Sequence, residues 1–295
     1  RSGSYKTDVG RLGRVGHTLL PPTERLMSDS YVHGYDSRES VRLGDQADAL
    51  VDLLHADTAF PDGSTVLEVG CGVGAQTVTL ARRSPRALIT AMDRAPSSLA
   101  EAERRVAAAG LRNVTFVEAD LFRPPFGPAS FDHLFVCFVL EHLSDPAAAL
   151  RTLVPLVRPG GSVTVIEGDH GSICFHPEDA DARSAIAAQV ALQRDGGGDA
   201  LIGRRLYPLL ADAGLVGVSV TPRLVYVDGS RPELSDMFTR RTFTAMIAGV
   251  RERVLASGRM EAARFDAGIR ALERAAAPDG VFCYTFFKAV GHRTP

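Results

Sequence analysis

Val66-Leu67-Glu68-Val69-Gly70-Cys71-Gly72-Val73-Gly74 is a short apolar run that ends in three glycines spaced G-x-G-x-G, and a helical pattern follows it. Glycines at a strand-to-helix turn let the backbone take tight dihedrals and approach a ligand closely. The helix start adds N–H groups that have no intrahelical partner. A glycine-rich turn alone is shared with dinucleotide-binding enzymes, and two details separate this one. The dinucleotide pattern is G-x-G-x-x-G and aims a helix N-terminus at a pyrophosphate. Here the spacing differs, and Glu68 stands two residues before the first glycine. A carboxylate there repels a pyrophosphate and suits a ligand carrying an ammonium and a sulfonium.

Outward from this stretch, apolar runs at 65–69, 87–92, 114–118, 131–138 and 161–167 alternate with helical segments near 75–83, 97–109 and 146–156. Such alternation predicts βαβ units, a mainly parallel sheet and helices on both faces. Asp145-Pro146 reads as an N-cap followed by a first-turn proline. The second strand ends in Met92-Asp93 and the third in Glu118-Ala119-Asp120-Leu121. Ligands of open α/β sheets bind at these carboxyl ends, and an acid about 20 residues past the glycines is placed for ribose hydroxyls.

Two segments break the alternation. Residues 168–200 hold Asp169-His170-Gly171, a helix and a glycine run, and residues 228–277 read as further helices. One stripe there is Met246, Val250 and Val254, and another is Phe265, Ile269 and Leu272. Strand-like runs at 215–227 and 281–289 bracket the second segment; Tyr226 and Tyr284 fall in them and receive no role. Long additions to a compact α/β domain are usually functional. A helix is expected near 39–55, behind an irregular segment 5–38 that contains Tyr31-Val32-His33-Gly34-Tyr35.

Composition narrows the function classes. Apolar residues make up 45% of the 295, enough for a sizeable core. A net charge of −2 lacks the basic footprint of a nucleic-acid binder. No run approaches the ~20 apolar residues of a membrane span, and no basic-then-apolar leader opens the given sequence. Arg1-Ser2-Gly3-Ser4 reads as an expression scar or a truncated start and carries none of the argument. Cys71, Cys137, Cys174 and Cys283 are far apart in sequence, which fits reduced thiols in a cytoplasm and no metal site.

Taken in order, Val66–Gly74, Met92–Leu99, Val117–Leu121, Phe131-Asp132 through Val139-Leu140-Glu141-His142-Leu143, and the turn Leu156–Gly161 resemble the class I S-adenosylmethionine (SAM)-dependent methyltransferases. The likeness is to the UbiE-like, methyltransferase type 11 group. It covers about residues 40–170 well and the rest more weakly. It implies a Rossmann-like α/β fold of seven strands, the last antiparallel, with helices on both faces and a helical lid. It implies SAM as cofactor and S-adenosylhomocysteine as product. It places Glu68, Gly70, Gly72 and Gly74 along the methionine part, Asp93 and Arg94 at the ribose, Asp120 and Leu121 at the adenine, and Cys137 and Phe138 beside the methionine moiety.

For the acceptor side, Glu167, Asp169 and His170 at the end of the fifth strand are candidate bases, since a base must lie within hydrogen-bond reach of the nucleophile and histidine titrates near neutrality. The other reading has the two acids capping the following loop. Tyr31 is a second catalytic candidate, and Tyr31, Tyr35, Glu141 and His142 are substrate candidates. The expected organisation is a lid segment over 1–38 and a catalytic domain over 39–295 with a helical insert at about 228–277. The expected reaction is methylation of a nucleophilic N, O or C on a small apolar or aromatic molecule, indole-like for instance, by a monomer or homodimer with no nucleic-acid or membrane partner. Three rivals stay open: a SAM-binding fold acting as regulator, lyase or cyclase; a nicotinamide-dependent oxidoreductase; and a methyltransferase for RNA or protein.

Overall fold

A computed structural model describes residues 50–295. Tyr31, Tyr35, the segment 1–38 and the first part of the expected 39–55 helix lie outside the described residues; the helix is seen as its last stretch, 50–55 (α1). Seven strands follow: β1 (Thr65–Val69), β2 (Leu88–Asp93), β3 (Val114–Glu118), β4 (Phe131–Cys137), β5 (Val157–His176), β6 (Leu215–Asp228) and β7 (Val281–Arg293). They form one sheet in the order β3-β2-β1-β4-β5-β7-β6, with β1 to β5 parallel and β7 antiparallel to both its neighbours.

Strand alternation divides the core in two. Val66 and Phe135 face one side with Leu50 and Leu54 of α1 and Leu80 of α2 (Ala75–Arg83). Leu67, Val69, Leu134 and Val136 face the other, under Leu150 of α4 (Pro146–Leu153) and Leu206 and Leu210 of α6 (Leu206–Asp212). Helix α3 (Pro96–Ala108) seats Leu99 against Ala91 and Cys71 on the α1–α2 side. The α4 cap is as expected: Asp145 Oδ1 accepts the Ala148 N–H at 2.7 Å, with Pro146 next to it. Asp132 accepts from the N–H and the hydroxyl of Thr65, each at 2.8 Å, and fixes the starts of β1 and β4 together.

The largest departure from the sequence expectation is β5. It does not end near residue 167 but continues to His176, while its neighbour β4 stops opposite Ile166. From Glu167 onward β5 pairs with β7, and β7 pairs with β6, so these three strands run past the carboxyl edge of the parallel half as a ribbon. Two glycines and two acids in Glu167–Gly171 read as a strand end. They sit inside the ribbon because each acid finds hydrogen-bond donors, described below.

One layer of helices covers the inner face of the ribbon: α5 (Ala180–Asp195), α7 (Pro232–Leu234) running through a π-helical stretch Ser235–Thr244 into α8 (Ala245–Gly249), then α9 (Arg251–Ala256) and α10 (Ala262–Arg274). The two segments that looked separate in sequence therefore share a core. Ala182, Ala185 and Ile186 of α5 meet Met246, Val250, Val254, Phe265 and Leu272 there, and Phe282, Tyr284 and Phe286 of β7 complete it. Ile269 packs at its margin. Helices α5 and α10 touch backbone to backbone, since a Cβ at Gly268 would lie 2.5 Å from the Asp181 carbonyl oxygen. Cys174 and Cys283, 109 positions apart in sequence, are direct register partners on β5 and β7. Among the described residues, no helix is long and apolar enough to cross a membrane.

Candidate cofactor and acceptor site

The glycine turn is built as its spacing predicts. Gly70, Gly72 and Gly74 have φ values of 68°, 52° and 77°, the left-handed region that glycine enters without a Cβ penalty. Each has a different reason to lack a side chain. A Cβ at Gly70 would lie 2.5 Å from Val139 Cγ2, and one at Gly74 would lie 2.8 Å from the Ala102 backbone of α3. A Cβ at Gly72 would meet nothing within 4 Å. The space beside Gly72 is open at the centre of the turn.

Asp93 ties this turn to β2. Its Oδ2 accepts the Gly72 N–H at 2.8 Å and its Oδ1 the Ala95 N–H at 2.9 Å. A carboxylate has about four acceptor positions, so both oxygens retain capacity for further donors. Arg94 beside it is exposed. Asp120 is exposed and accepts the Phe122 N–H at 2.9 Å, and Leu121 is buried next to it.

Glu68 is 2% exposed and its Oε2 has no hydrogen-bond partner among the described residues. Burial pushes its pKa up to about 8; the nearby Thr77 hydroxyl offsets this in part, and the Asp93 charge adds to it. A buried acceptor without a partner costs about 1–3 kcal/mol. The unpaired oxygen, the free space at Gly72 and the adjacent Asp93 fit the ammonium, backbone and hydroxyl groups of SAM.

At the end of β4, Cys137 is buried and Phe138 has φ 57°. That region is rare for an aromatic residue and costs on the order of 1–3 kcal/mol. The conformation swings Phe138 against Phe286 of β7, ring centroids 5.4 Å apart. Phe138 thereby joins the carboxyl edge of β4 to an aromatic wall on the ribbon. Phe286 and Tyr284 are 4.6 Å apart, and Tyr284 meets Phe243 at 5.9 Å and Phe238 at 6.0 Å. Phe238 and Phe243 are five positions apart, and the wider π-helical turn brings both rings against Tyr284.

The fifth-strand trio is split by the same alternation. Glu167 Oε1 accepts the N–H groups of Val139 and Leu140 at 3.0 and 2.7 Å and so holds the turn after β4. Burial drives its pKa well above the carboxylate range, and the Glu141 charge adds to this. Asp169 lies on that second side too, clasped by Arg204 through two bonds of 2.7 Å. His170 points the other way, into the aromatic wall, 5.7 Å from Tyr284 and 6.1 Å from Phe243 between ring centroids. Its Nδ1 is 3.0 Å from Gln189 Oε1, and among the described residues its Nε2 has no partner. Glu141 and His142 sit half-buried on the 3-10 turn Leu140–His142, their side chains 3.7 Å apart.

Sequence reasoning passed over Tyr284, Phe286 and Gln189. The period-2 spacing of Phe282, Tyr284 and Phe286 was the available signal for the first two, and a glutamine within the apolar stripe of α5 for the third. Among the described residues no group of three His, Cys, Asp or Glu side chains is arranged to hold a metal ion.

Comparison with known proteins bears on the fold and on the class. Residues 66–161 match a family described as "Methyltransferase domain". A 37.1 kDa protein of transposon TN4556 from Streptomyces fradiae is 28% identical over 253 residues, covering 82% of this chain and 70% of that protein. Demethylmenaquinone methyltransferase from Thermus thermophilus is 35% identical over 102 residues, 35% of this chain and 46% of its own length. The 27-O-demethylrifamycin SV methyltransferase of Amycolatopsis mediterranei is 27% identical over 161 residues, 54% of this chain and 59% of its length. The chain thus spans only about half of the last two relatives. Among solved structures, phosphoethanolamine N-methyltransferase 2 of Haemonchus contortus superposes with a TM-score of 0.52 at 16% identity, over 85% of this chain and 52% of that one. The [4+2]-cyclase SpnF gives 0.50 at 21%, over 84% and 81%. At these identities the structures share the fold alone. Residues 66–161 thus match a methyltransferase domain, and the glycine turn and seven-stranded topology are those of the class I SAM-dependent methyltransferase fold. S-adenosylmethionine is the cofactor of that class.

Proposed function

We propose that the chain transfers the methyl group of SAM to a nucleophilic N, O or C of a small apolar or aromatic molecule held against Phe138, Tyr284, Phe243 and His170. The observation that carries this reading is the junction of two surfaces at Phe138. On one side lie the unpaired Glu68 oxygen and the free space at Gly72; on the other is a wall of four aromatic rings and one imidazole. The charge balance of the chain favours a small acceptor over RNA.

When bound, SAM supplies an electrophilic methyl on a sulfonium that departs readily. The chain's own residues position, dehydrate and deprotonate. Glu68 receives the ammonium, Asp93 the ribose hydroxyls, and Leu121 with Asp120 the adenine. Phe138 and Phe286 form the apolar partition beside the reacting carbon. The helices from 232 to 274 act as a lid that excludes water, which preserves the alignment an in-line displacement requires. His170 Nε2 takes the proton from the acceptor. Glu167 and Asp169 act as scaffold: Glu167 Oε1 is committed to the Val139 and Leu140 N–H groups and both Asp169 oxygens to Arg204, while Glu167 Oε2 is buried with no partner among the described residues.

Two measurements test the proposal. Calorimetric titration with SAM and with NAD separates it from the nicotinamide reading; NAD binding without SAM binding overturns it. Formation of S-adenosylhomocysteine is then followed with a panel of indoles, phenols and amines. Turnover on members of the panel supports the reading. SAM binding with conversion of an acceptor but no S-adenosylhomocysteine replaces it with the lyase or cyclase reading.

A further inference from the structure

Behind His170 runs a buried chain of hydrogen bonds that ends on the turn following β4. Gln189 and Gln193 lie one helical turn apart on the inner face of α5, 0% and 1% exposed. Gln189 Oε1 meets His170 Nδ1 at 3.0 Å, Gln189 Nε2 donates to Gln193 Oε1 at 2.9 Å, and Gln193 Nε2 donates to both the carbonyl oxygen and Oε2 of Glu141 at 3.1 Å. That carbonyl also accepts the Asp199 N–H at 2.8 Å. Gly198 allows the approach, since a Cβ there would lie 2.5 Å from it.

The direction of this chain is not arbitrary. A backbone carbonyl only accepts, so the Gln193 amide nitrogen must face Glu141. Gln193 Oε1 must then face Gln189, whose nitrogen donates to it. Gln189 Oε1 is left facing His170 and can only accept. Nδ1 of His170 therefore carries the hydrogen, and Nε2 carries the lone pair. Buried glutamines are costly unless every amide group is paired, so reversing one member breaks the bonds of the next.

We propose that Gln189, Gln193 and Glu141 are positioning residues that hold His170 in its Nδ1–H tautomer, with Nε2 presented as acceptor toward the aromatic wall. The chain also links the two sides of the site. Its far end is the Leu140–His142 turn next to Phe138, and Glu167 fixes that turn from beneath. The device rests on the reading of His170 as the base only for its use in turnover; the tautomer itself exists without cofactor or acceptor.

The test is nitrogen-15 NMR of histidine-labelled full-length protein, without added ligand, on wild type and on Gln189→Leu, Gln193→Leu and Gln189→Glu. Wild type should show the Nδ1–H form. Gln189→Glu retains an acceptor at Nδ1 and should keep it. Gln193→Leu does not touch the imidazole, yet frees the Gln189 amide to reverse and should move His170 toward the Nε2–H form, as should Gln189→Leu. Turnover in these two should fall at least about tenfold with SAM affinity unchanged. An Nε2–H wild type overturns the proposal. So does an unchanged tautomer in Gln193→Leu protein whose folding is verified by SAM binding. A shifted tautomer with unchanged turnover supports the positioning chain and removes His170 as the base, which separates the two claims.

Discussion

The two halves of the sheet are built on opposite principles. The parallel half, β3-β2-β1-β4, ends its strands together, and what it offers a ligand is set close to the backbone: three positive-φ glycines and acids at strand ends. The antiparallel half, β5-β7-β6, extends past that edge and offers side chains: Phe282, Tyr284, Phe286 and His170 under a helical cover. A backbone cradle requires local sequence, because φ and strand ends are set over a few residues. A side-chain wall requires partners from several elements, here β5, β7, α5 and the 232–249 helices. The first half is suited to a ligand of constant shape, and the second can vary by packing.

The strongest way to break this contrast is to exchange the effects. His170→Ala should lower turnover by about 10²–10⁴-fold, with SAM affinity within a few-fold of wild type by calorimetry; equal losses in both would join the halves. Glu68→Ala should reverse the pattern and weaken SAM binding about a hundredfold, the scale of a lost charge-assisted bond. Tyr284→Phe, in the other half, should leave that affinity alone.

Within the cradle the three glycines should separate. Gly74→Ala drives a methyl into the rigid Ala102 backbone and Gly70→Ala into the more yielding Val139 side chain, so thermal stability should fall in that order. Gly72→Ala meets no atom and should cost only the dihedral strain of about 1–2 kcal/mol, while still impairing SAM binding. A Gly72→Ala protein with intact SAM affinity would show that the free space there is not the ligand's.

The smallest effect is a proton. Glu68 titrates near pH 8 in the free protein, and an ammonium partner should return it to the ionised form. SAM binding near pH 7 should then release a fraction of a proton, read by calorimetry in two buffers of different ionisation enthalpy. The sign for stability follows from the raised pKa. The stability tied to protonated Glu68 is complete below about pH 4.5 and is lost as pH rises through 8. Glu68→Gln, without ligand, should match wild type at low pH and melt higher above pH 8.

How much of this was legible in the sequence follows the same division. Val66–Gly74, Met92-Asp93 and Glu118–Leu121 announced strand ends and a ligand edge, since each signal is complete within a few residues. Glu167-Gly168-Asp169-His170 misled, because a strand that buries two acids looks like a strand that has stopped. Only the approach of Arg204 and of the Val139–Leu140 turn makes burial of those acids tolerable, and neither is near them in sequence. The separate helical stretches at 180–195 and 232–274 gave no hint of a common core, since helical periodicity marks an apolar face without its partner.

The sequence by itself determined the βαβ order, the glycine cradle and the acids at the strand ends, because dihedral preference, strand length and caps are local physics. The tertiary structure alone decided which way Glu167, Asp169 and His170 point, that Phe138 meets Phe286, and that Gln189 stands behind His170. Those relations depend on the register of β5 with β7 and on the packing of α5 over both, and a one-residue slip in that register would turn every side chain of the ribbon to the opposite face.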